Sequence, residues 1–432
     1  MERPKPTPTF SRRGLIKGAL AAGGLAAGGR LLGPVGDALA AEDRPHFVHI
    51  FLNGGFNALF AGNADKFLTG NVFGVTSSNI KNVGNGVFTD AETLGTLPQF
   101  ALDHWAAVGI HHKEARHTLA ITTRSGGERA ILMDGADSYL NKLAHAMGGD
   151  SALKSVYFGD RQVAYQPQKA YEAEDDKGKM LKVSLERISD LKDAIKALGA
   201  EPPDPNAPAR TDAALSLETS DALSKRMAKR NPTRLVALDD SYKAVVEALR
   251  KPPPPPVTFA DIAAAYDIGA STEVSSFASM MAGAEIMIRA ANSNVVHVCD
   301  LGYAAWDFHG ATNGRSDDGL YSRRKWKGEG AFKGSRIAPL RTFVSRMLNA
   351  PGRNVVICIS GELARLPDGS HADGTVAVLL GKHVKRGVSY GVDSRARFVP
   401  GTPGVPAFWA AVADALKIPG RPFGANPHAI IA

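Results

Sequence analysis

Five short apolar runs stand out along the chain, at residues 47–52, Trp105–Ile110, Val295–Cys299, 354–359 and Thr375–Leu380. Each has the length of a strand. Three of them stop at Asn53-Gly54-Gly55, at His111-His112 and at Gly381. A strand with one wet face alternates apolar and polar residues, whereas a continuous apolar run indicates burial on both faces, as in a parallel sheet. Helical spacing fills the gaps. Residues 273–291 carry Phe277, Met280, Met281, Ala284, Met287 and Ile288 three and four apart, leading directly into the strand at Val295. Residues 337–348 repeat the arrangement ahead of the run at 354–359, and residues 406–416 follow the last run. Helix alternating with buried strand predicts an α/β domain, a mainly parallel sheet flanked by helices.

Residues 165–257 break this rhythm. They are charged and helix-prone, and are interrupted by Pro202-Pro203-Asp204-Pro205 and by the consecutive prolines Pro252 to Pro256, a stiff spacer. No histidine occurs between His145 and His297. The chain therefore divides into a leader at 1–40, a first part of the α/β domain at 46–164, a helical, proline-rich insertion or cap at 165–257, and a second part of the α/β domain at 258–432. The chemistry is expected outside the insertion.

Composition adds the compartment. The 432 residues are 44% hydrophobic and 22% charged, which excludes disorder, collagen and coiled coil for the chain as a whole. The formal net charge is +8, yet residues 1–40 hold six of the basic residues (Arg3, Lys5, Arg12, Arg13, Lys17, Arg30) and two of the acidic ones (Glu2, Asp37). The remainder, 45 basic against 41 acidic, is too mildly charged to argue for nucleic acid. The basic pair Arg12-Arg13 sits in Ser11-Arg12-Arg13-Gly14-Leu15-Ile16-Lys17, before a Gly/Ala/Leu stretch and the small-x-small site Ala38-Leu39-Ala40. That is the form of a twin-arginine export signal. Glycines, Lys17 and Arg30 spoil the stretch as a membrane anchor, which needs ~20 apolar residues. Export to the periplasm or medium by the twin-arginine translocase is expected, with no transmembrane segment in the mature protein. Two cysteines exclude a disulfide scaffold and a Cys-only zinc cluster. Cys299 and Cys358 read as buried strand thiols, with a disulfide open to them if their strands are neighbours.

Open α/β sheets bind ligands at the carboxyl ends of their strands, so the polar residues there are the candidates. Paired glycines in Asn53-Gly54-Gly55 let backbone N–H groups approach an anion. The second run ends in His111 and His112, with His117 soon after; Trp306-Asp307-Phe308-His309 follows the run at Val295; Gly361-Glu362-Leu363-Ala364-Arg365, then His371 and Asp373, follow the run at 354–359. Asp307 and His309, two apart in an extended segment, share one side. With His371, Asp373 and His117 they form a nitrogen and oxygen ligand set for one divalent Zn, Mn or Fe ion per chain. Gly387-Val388-Ser389-Tyr390-Gly391 matches the nucleophile-elbow pattern, and Asp414 and His428 follow in hydrolase order. Alternating Val388, Tyr390 and Val392 predict a strand there instead of the strand–turn–helix an elbow requires.

Several of these segments together resemble a family of bacterial twin-arginine-exported proteins of unknown function, related to sulfatases and alkaline phosphatases. The likeness rests on the Gly54-Gly55 turn, the His117 segment, Trp306-Asp307-x-His309, and Gly361-Glu362-x-x-Arg365 followed by His371. It implies an alkaline-phosphatase-like sheet with metal ligands at the strand ends. The chain departs from the family where the chemistry lies: Ser370 precedes His371, Asp373 stands where a second histidine is usual, and Phe56-Asn57-Ala58 supplies no nucleophile after the glycines. Two main readings follow. In one, a degenerate relative keeps the fold and binds a divalent metal and a small anionic ligand. In the other, an active periplasmic hydrolase cleaves phosphate or sulfate esters, with Glu362 orienting a ligand or moving a proton and Arg365 with the Asn53–Gly55 backbone gripping the anion. Serine hydrolysis through Ser389 is a minor third.

Overall fold

The apolar runs become the strands they predict, and shorter strands join them. The computed structural model describes residues 43–122, 130–134, 137–149, 151, 153–159, 185–191, 257–300, 306–309 and 318–431. These residues belong to one compact unit, Asp43–Pro202 with Pro256–Ala432. In chain order the strands are β1 (Arg44–Phe51), β2 (Ile80–Gly84), β3 (Val87–Asp90), β4 (Trp105–Ile110), β5 (Met133–Asp134), β6 (Asp137–Ser138), β7 (Ser155–Phe158), β8 (Leu185–Arg187), β9 (Val295–Cys299), β10 (Arg353–Ser360), β11 (Thr375–Leu380) and β12 (Gly387–Ser389). β2 pairs with β3 and β5 with β6 as separate ribbons; the other eight form one sheet in the order β12-β4-β11-β10-β1-β9-β7-β8.

Every pairing in the main sheet is parallel except those of β11, which runs antiparallel to both β10 and β4. A parallel neighbour needs a long crossover, whereas a strand that returns directly must run the other way. The chain from β10 to β11 returns directly. Residues 361–374 therefore stay at the carboxyl edge, beside the turns that follow β1, β4 and β9.

Both faces of the sheet are covered. On β1, Val48 and Ile50 point into one layer, with Met280 and Met287 of the helix Phe277–Arg289 and Leu340 and Phe343 of the helix Ile337–Met347. Phe47 and Phe51 point into the other, with Leu140 of the helix Tyr139–Met147 and Trp409 of the helix Val405–Ala415. Burying one such side chain contributes about 1.5–3 kcal/mol, enough to fix which face each strand residue takes. The helix Phe277–Arg289, whose far end feeds β9, starts at a reciprocal Ser276–Ser279 capping box that satisfies two orphan N–H groups at its N-terminus.

The α/β class and the mainly parallel sheet agree with the sequence reading. Two details differ. Within the stretch expected as a helical insertion, Leu185–Arg187 adds a parallel edge strand beside β7, and Leu191 is fully buried in the main core; the remainder, 192–256, lies outside the described residues, as do 160–184 and the leader. The strand expected through Val392 stops at Ser389, because Tyr390 turns into the left-handed region at φ 53°. Cys299 and Cys358 are free thiols. β1 lies between their strands, which puts two steps of about 4.8 Å between them, too far for a disulfide. Among the described residues no helix is long and apolar enough to cross a membrane.

Candidate metal centre

Four turns meet at the carboxyl edge of the sheet. Asn53-Gly54-Gly55 leaves β1, residues 111–117 leave β4, Trp306–His309 follows β9, and residues 361–374 join β10 to β11. Trp306 N–H donates to the Asn53 carbonyl at 3.0 Å, which docks the third turn on the first. In the extended segment after it, Asp307 and His309 face one way. Phe308 faces the other and stacks on Tyr321, ring centres 5.7 Å apart.

His117, Asp307, His309 and His371 bring one donor atom each within 4.8 Å of one another. His371 Nε2 stands 3.0 Å from His117 Nε2 and 3.2 Å from His309 Nε2. Asp307 oxygens lie 2.9 Å from His309 Nε2, and 3.4 Å from His117 Nε2 and from His371 Nε2. Adjacent donors around a single ion at ~2.1 Å stand about 3.0–3.4 Å apart. Five separations among the four residues, taken with both Asp307 oxygens, fall at or close to that spacing, and the four donors all lie within 4.8 Å.

The far side of each ring fixes its tautomer. His117 Nδ1 faces Glu362 Oε1 at 2.6 Å, His309 Nδ1 the Gly369 carbonyl at 3.1 Å, and His371 Nδ1 the Ala115 carbonyl at 3.1 Å. Carbonyls only accept, so His309 and His371 carry a proton on Nδ1, as His117 does toward the Glu362 carboxylate; each Nε2 presents a lone pair when its ring is neutral. Lone pairs 3.0 and 3.2 Å apart repel unless a positive charge lies between them. His117 registers that demand. Burial alone would lower its pKa, but hydrogen bonds to Asp307 and Glu362, reinforced by their charges, push it up to about 9. The pocket attracts a cation, a proton where no metal is bound. His309 is 51% exposed, so the cluster opens to solvent on that side.

A buried layer supports the four. Glu362, with no exposed surface, also accepts from Gly54 N–H at 2.8 Å, tying the His117 ring to the first turn. Gly54 is required there: at φ +114° an added Cβ would lie 2.5 Å from Asp307 N. Arg365, equally buried, donates to the Gly54 carbonyl at 2.6 Å, pairs with Asp307 Oδ1, and has Asp318 Oδ1 3.7 Å from its Nε. Asp318 was not legible as a site residue in its charged stretch. Burial raises its pKa to about 6, against the opposing pull of Arg365 and of Asn57, whose Nδ2 donates to it at 2.5 Å.

Other expected residues are placed elsewhere. Asp373 is not one of the four: its carbonyl is held by Lys113 N–H at 2.7 Å and its carboxylate turns to His111 Nε2 at 3.0 Å. His112 is buried against the Glu362 carbonyl at 2.7 Å, and burial lowers its pKa to about 4 despite that bond. The glycine amides expected to grip an anion are already used, Gly54 N–H by Glu362 and Gly55 N–H by the Leu52 carbonyl at 3.1 Å. Arg365 is likewise interior, between carboxylates. Ser389 Oγ does meet His428 Nδ1 at 2.9 Å, but Ser389 is on strand β12, and Asp414 accepts from Asn426 instead of orienting the imidazole. That geometry does not make a triad.

The fold and the cluster thus define an α/β protein with a candidate metal centre at the carboxyl edge of its sheet. No family model, curated protein or solved structure matches the chain.

Proposed function

We propose that this chain is an exported metal-binding protein of alkaline-phosphatase-like architecture, holding one divalent transition-metal ion on His117, Asp307, His309 and His371. The observation that carries the reading is the convergence of three Nε2 atoms on one carboxylate, with every Nδ1 committed to an acceptor behind it. Ligating imidazoles are held in this manner, the rear N–H fixed so that the front nitrogen is basic. A bound divalent ion supplies a Lewis acid at the solvent-exposed edge. Binding is favoured over ester hydrolysis because the Gly54 and Gly55 amides and Arg365 serve the protein's own groups. Hydrolysis of a phosphate or sulfate ester is the second reading, favoured by the exposure of His309.

Export rests on Arg12-Arg13 and the Ala38-Leu39-Ala40 site, outside the described residues. Replacing both arginines by lysine is expected to leave precursor in the cytoplasm; normal export of that variant contradicts the localisation. The function is tested by elemental analysis of chain purified from the exported fraction, then of chain dialysed against chelator and reloaded. One ion per chain, lost in His309→Ala, is expected. A metal-free wild type after loading contradicts the reading, and turnover of a generic aryl phosphate or sulfate by the loaded chain supports the second reading instead.

A further inference from the structure

A second cation position exists beside the four ligands, and a side chain fills it. We propose that Arg365 is the built-in cation of this centre, holding it to a single metal ion by occupying the place between Asp307 and Asp318 where a second would bind. This rests on the metal reading above. Around the guanidinium are the Asp307 carboxylate, the Gly54 carbonyl 2.6 Å and the Trp306 carbonyl 3.5 Å from Nη2, and Asp318 Oδ1 3.7 Å from Nε. Two carboxylates and two carbonyls are an all-oxygen set, the kind that Mn²⁺, Mg²⁺ or Ca²⁺ takes.

The hydrogen bonding of Arg365 supports a role as charge rather than as fork. A buried guanidinium ordinarily uses its planar donors in pairs on a carboxylate. Here Nη2 does the donating, while Nε and Nη1 have no hydrogen-bond partner among the described residues although both are buried. The shape of the donor group is poorly matched to its surroundings; its sign is well matched.

Charge decides the count. Asp307, Asp318 and Glu362 are three carboxylates with 9% or less of their side chains exposed, and Arg365 is the guanidinium among them. Counted over the described residues, three carboxylates against one guanidinium leave two negative charges in excess, which one divalent ion balances. A second ion would leave two positive charges in excess in a place shielded from water, and uncompensated buried charge is strongly disfavoured.

Metal analysis after equilibration with Mn²⁺, an ion suited to both donor sets, reads this directly. The wild type is expected to hold one ion per chain and Arg365→Ala two, a doubling. Arg365→Ala/Asp318→Asn, which removes one carboxylate along with the guanidinium, is expected to return to one. Two ions in the wild type, or one in folded Arg365→Ala, overturn the proposal and leave the four-ligand reading intact. No ion in the wild type overturns the four-ligand reading itself. Should Arg365→Ala not fold, the wild type and the double variant carry the test: one ion in each supports the proposal, and two in either overturns it.

Discussion

Two histidine clusters lie in this protein, and they differ in a single respect that decides their chemistry. In the middle of the sheet, His49 of β1 and His297 of β9 stand side by side in register, with Nδ1 atoms 3.2 Å apart. They are 0% and 1% exposed, and His49 Nε2 meets Ser360 Oγ at 2.8 Å. One proton between the two Nδ1 atoms satisfies the contact. Burial pushes the pKa of His297 down to about 3 and that of His49 well below its ordinary value, the latter helped by its neighbour. At the edge, His117 and His371 are as close, yet Glu362 and Asp307 raise His117 to about 9. Imidazoles packed on apolar residues stay neutral and serve the core. The same rings packed on carboxylates become a cation pocket.

The largest effect is expected where a carboxylate is removed from the edge. Asp307→Ala takes away a ligand and the partner of Arg365, so bound metal should fall from one per chain to near zero by elemental analysis; His297→Phe should leave it unchanged. Equal loss in both variants would erase the distinction between the clusters.

Backbone geometry comes next. Gly54→Ala must place its Cβ 2.5 Å from Asp307 N at φ +114°, whereas Gly86→Ala at φ +76° meets nothing within 4 Å. Chemical denaturation should show Gly54→Ala destabilised by about 2–4 kcal/mol, with weakened metal binding, and Gly86→Ala by about 1 kcal/mol with binding intact. Similar costs at both positions would remove Gly54 from the centre.

Acid distinguishes the clusters through the opposite signs of their shifts. Groups with folded pKa values below 6.5, such as His46 at about 4 and His297 at about 3, bind protons first in the unfolded state. The stability these histidines contribute is therefore complete above about pH 6.5 and falls as the pH drops toward 4, at up to about 1.4 kcal/mol per pH unit for each histidine. His117, raised to about 9, instead contributes stability to the metal-free chain that is complete below about pH 6.5 and lost as the pH rises toward 9. His297→Phe should flatten that slope by one histidine's share in denaturation curves of metal-free chain between pH 6.5 and 4. An unchanged slope would mean that His297 is not held neutral.

The smallest effect is expected at Ser389. Ser389→Ala removes its hydrogen bond to His428 and should cost about 1 kcal/mol, with metal content unchanged. Loss of an esterase activity in that variant would revive the serine reading.

Much of the sheet was legible because strands buried on both faces leave unbroken apolar runs. Direction was not: the run at Thr375–Leu380 reads the same either way, and its reversal follows from the direct return out of β10. Ser155–Phe158 was too short to stand out, and Leu185–Arg187 lies in a charged stretch. At the centre, the two-residue spacing of Asp307 and His309 correctly indicated a shared side. Asp373 has the same spacing from His371 but is drawn away by Lys113 and His111, contacts that come from a distant strand. Gly54-Gly55 and Arg365 looked suited to an anion because the sequence does not reveal that Glu362 and Asp307 already occupy them.

The central claim is that one ion binds where the three imidazoles converge. An anomalous difference map from crystals of the metal-loaded chain, collected at the absorption edge of the metal, tests it most directly. The account predicts a single peak about 2.0–2.3 Å from Nε2 of His117, His309 and His371 and from an Asp307 oxygen. A map with no peak there, or with the metal on His111 and Asp373 instead, would contradict it.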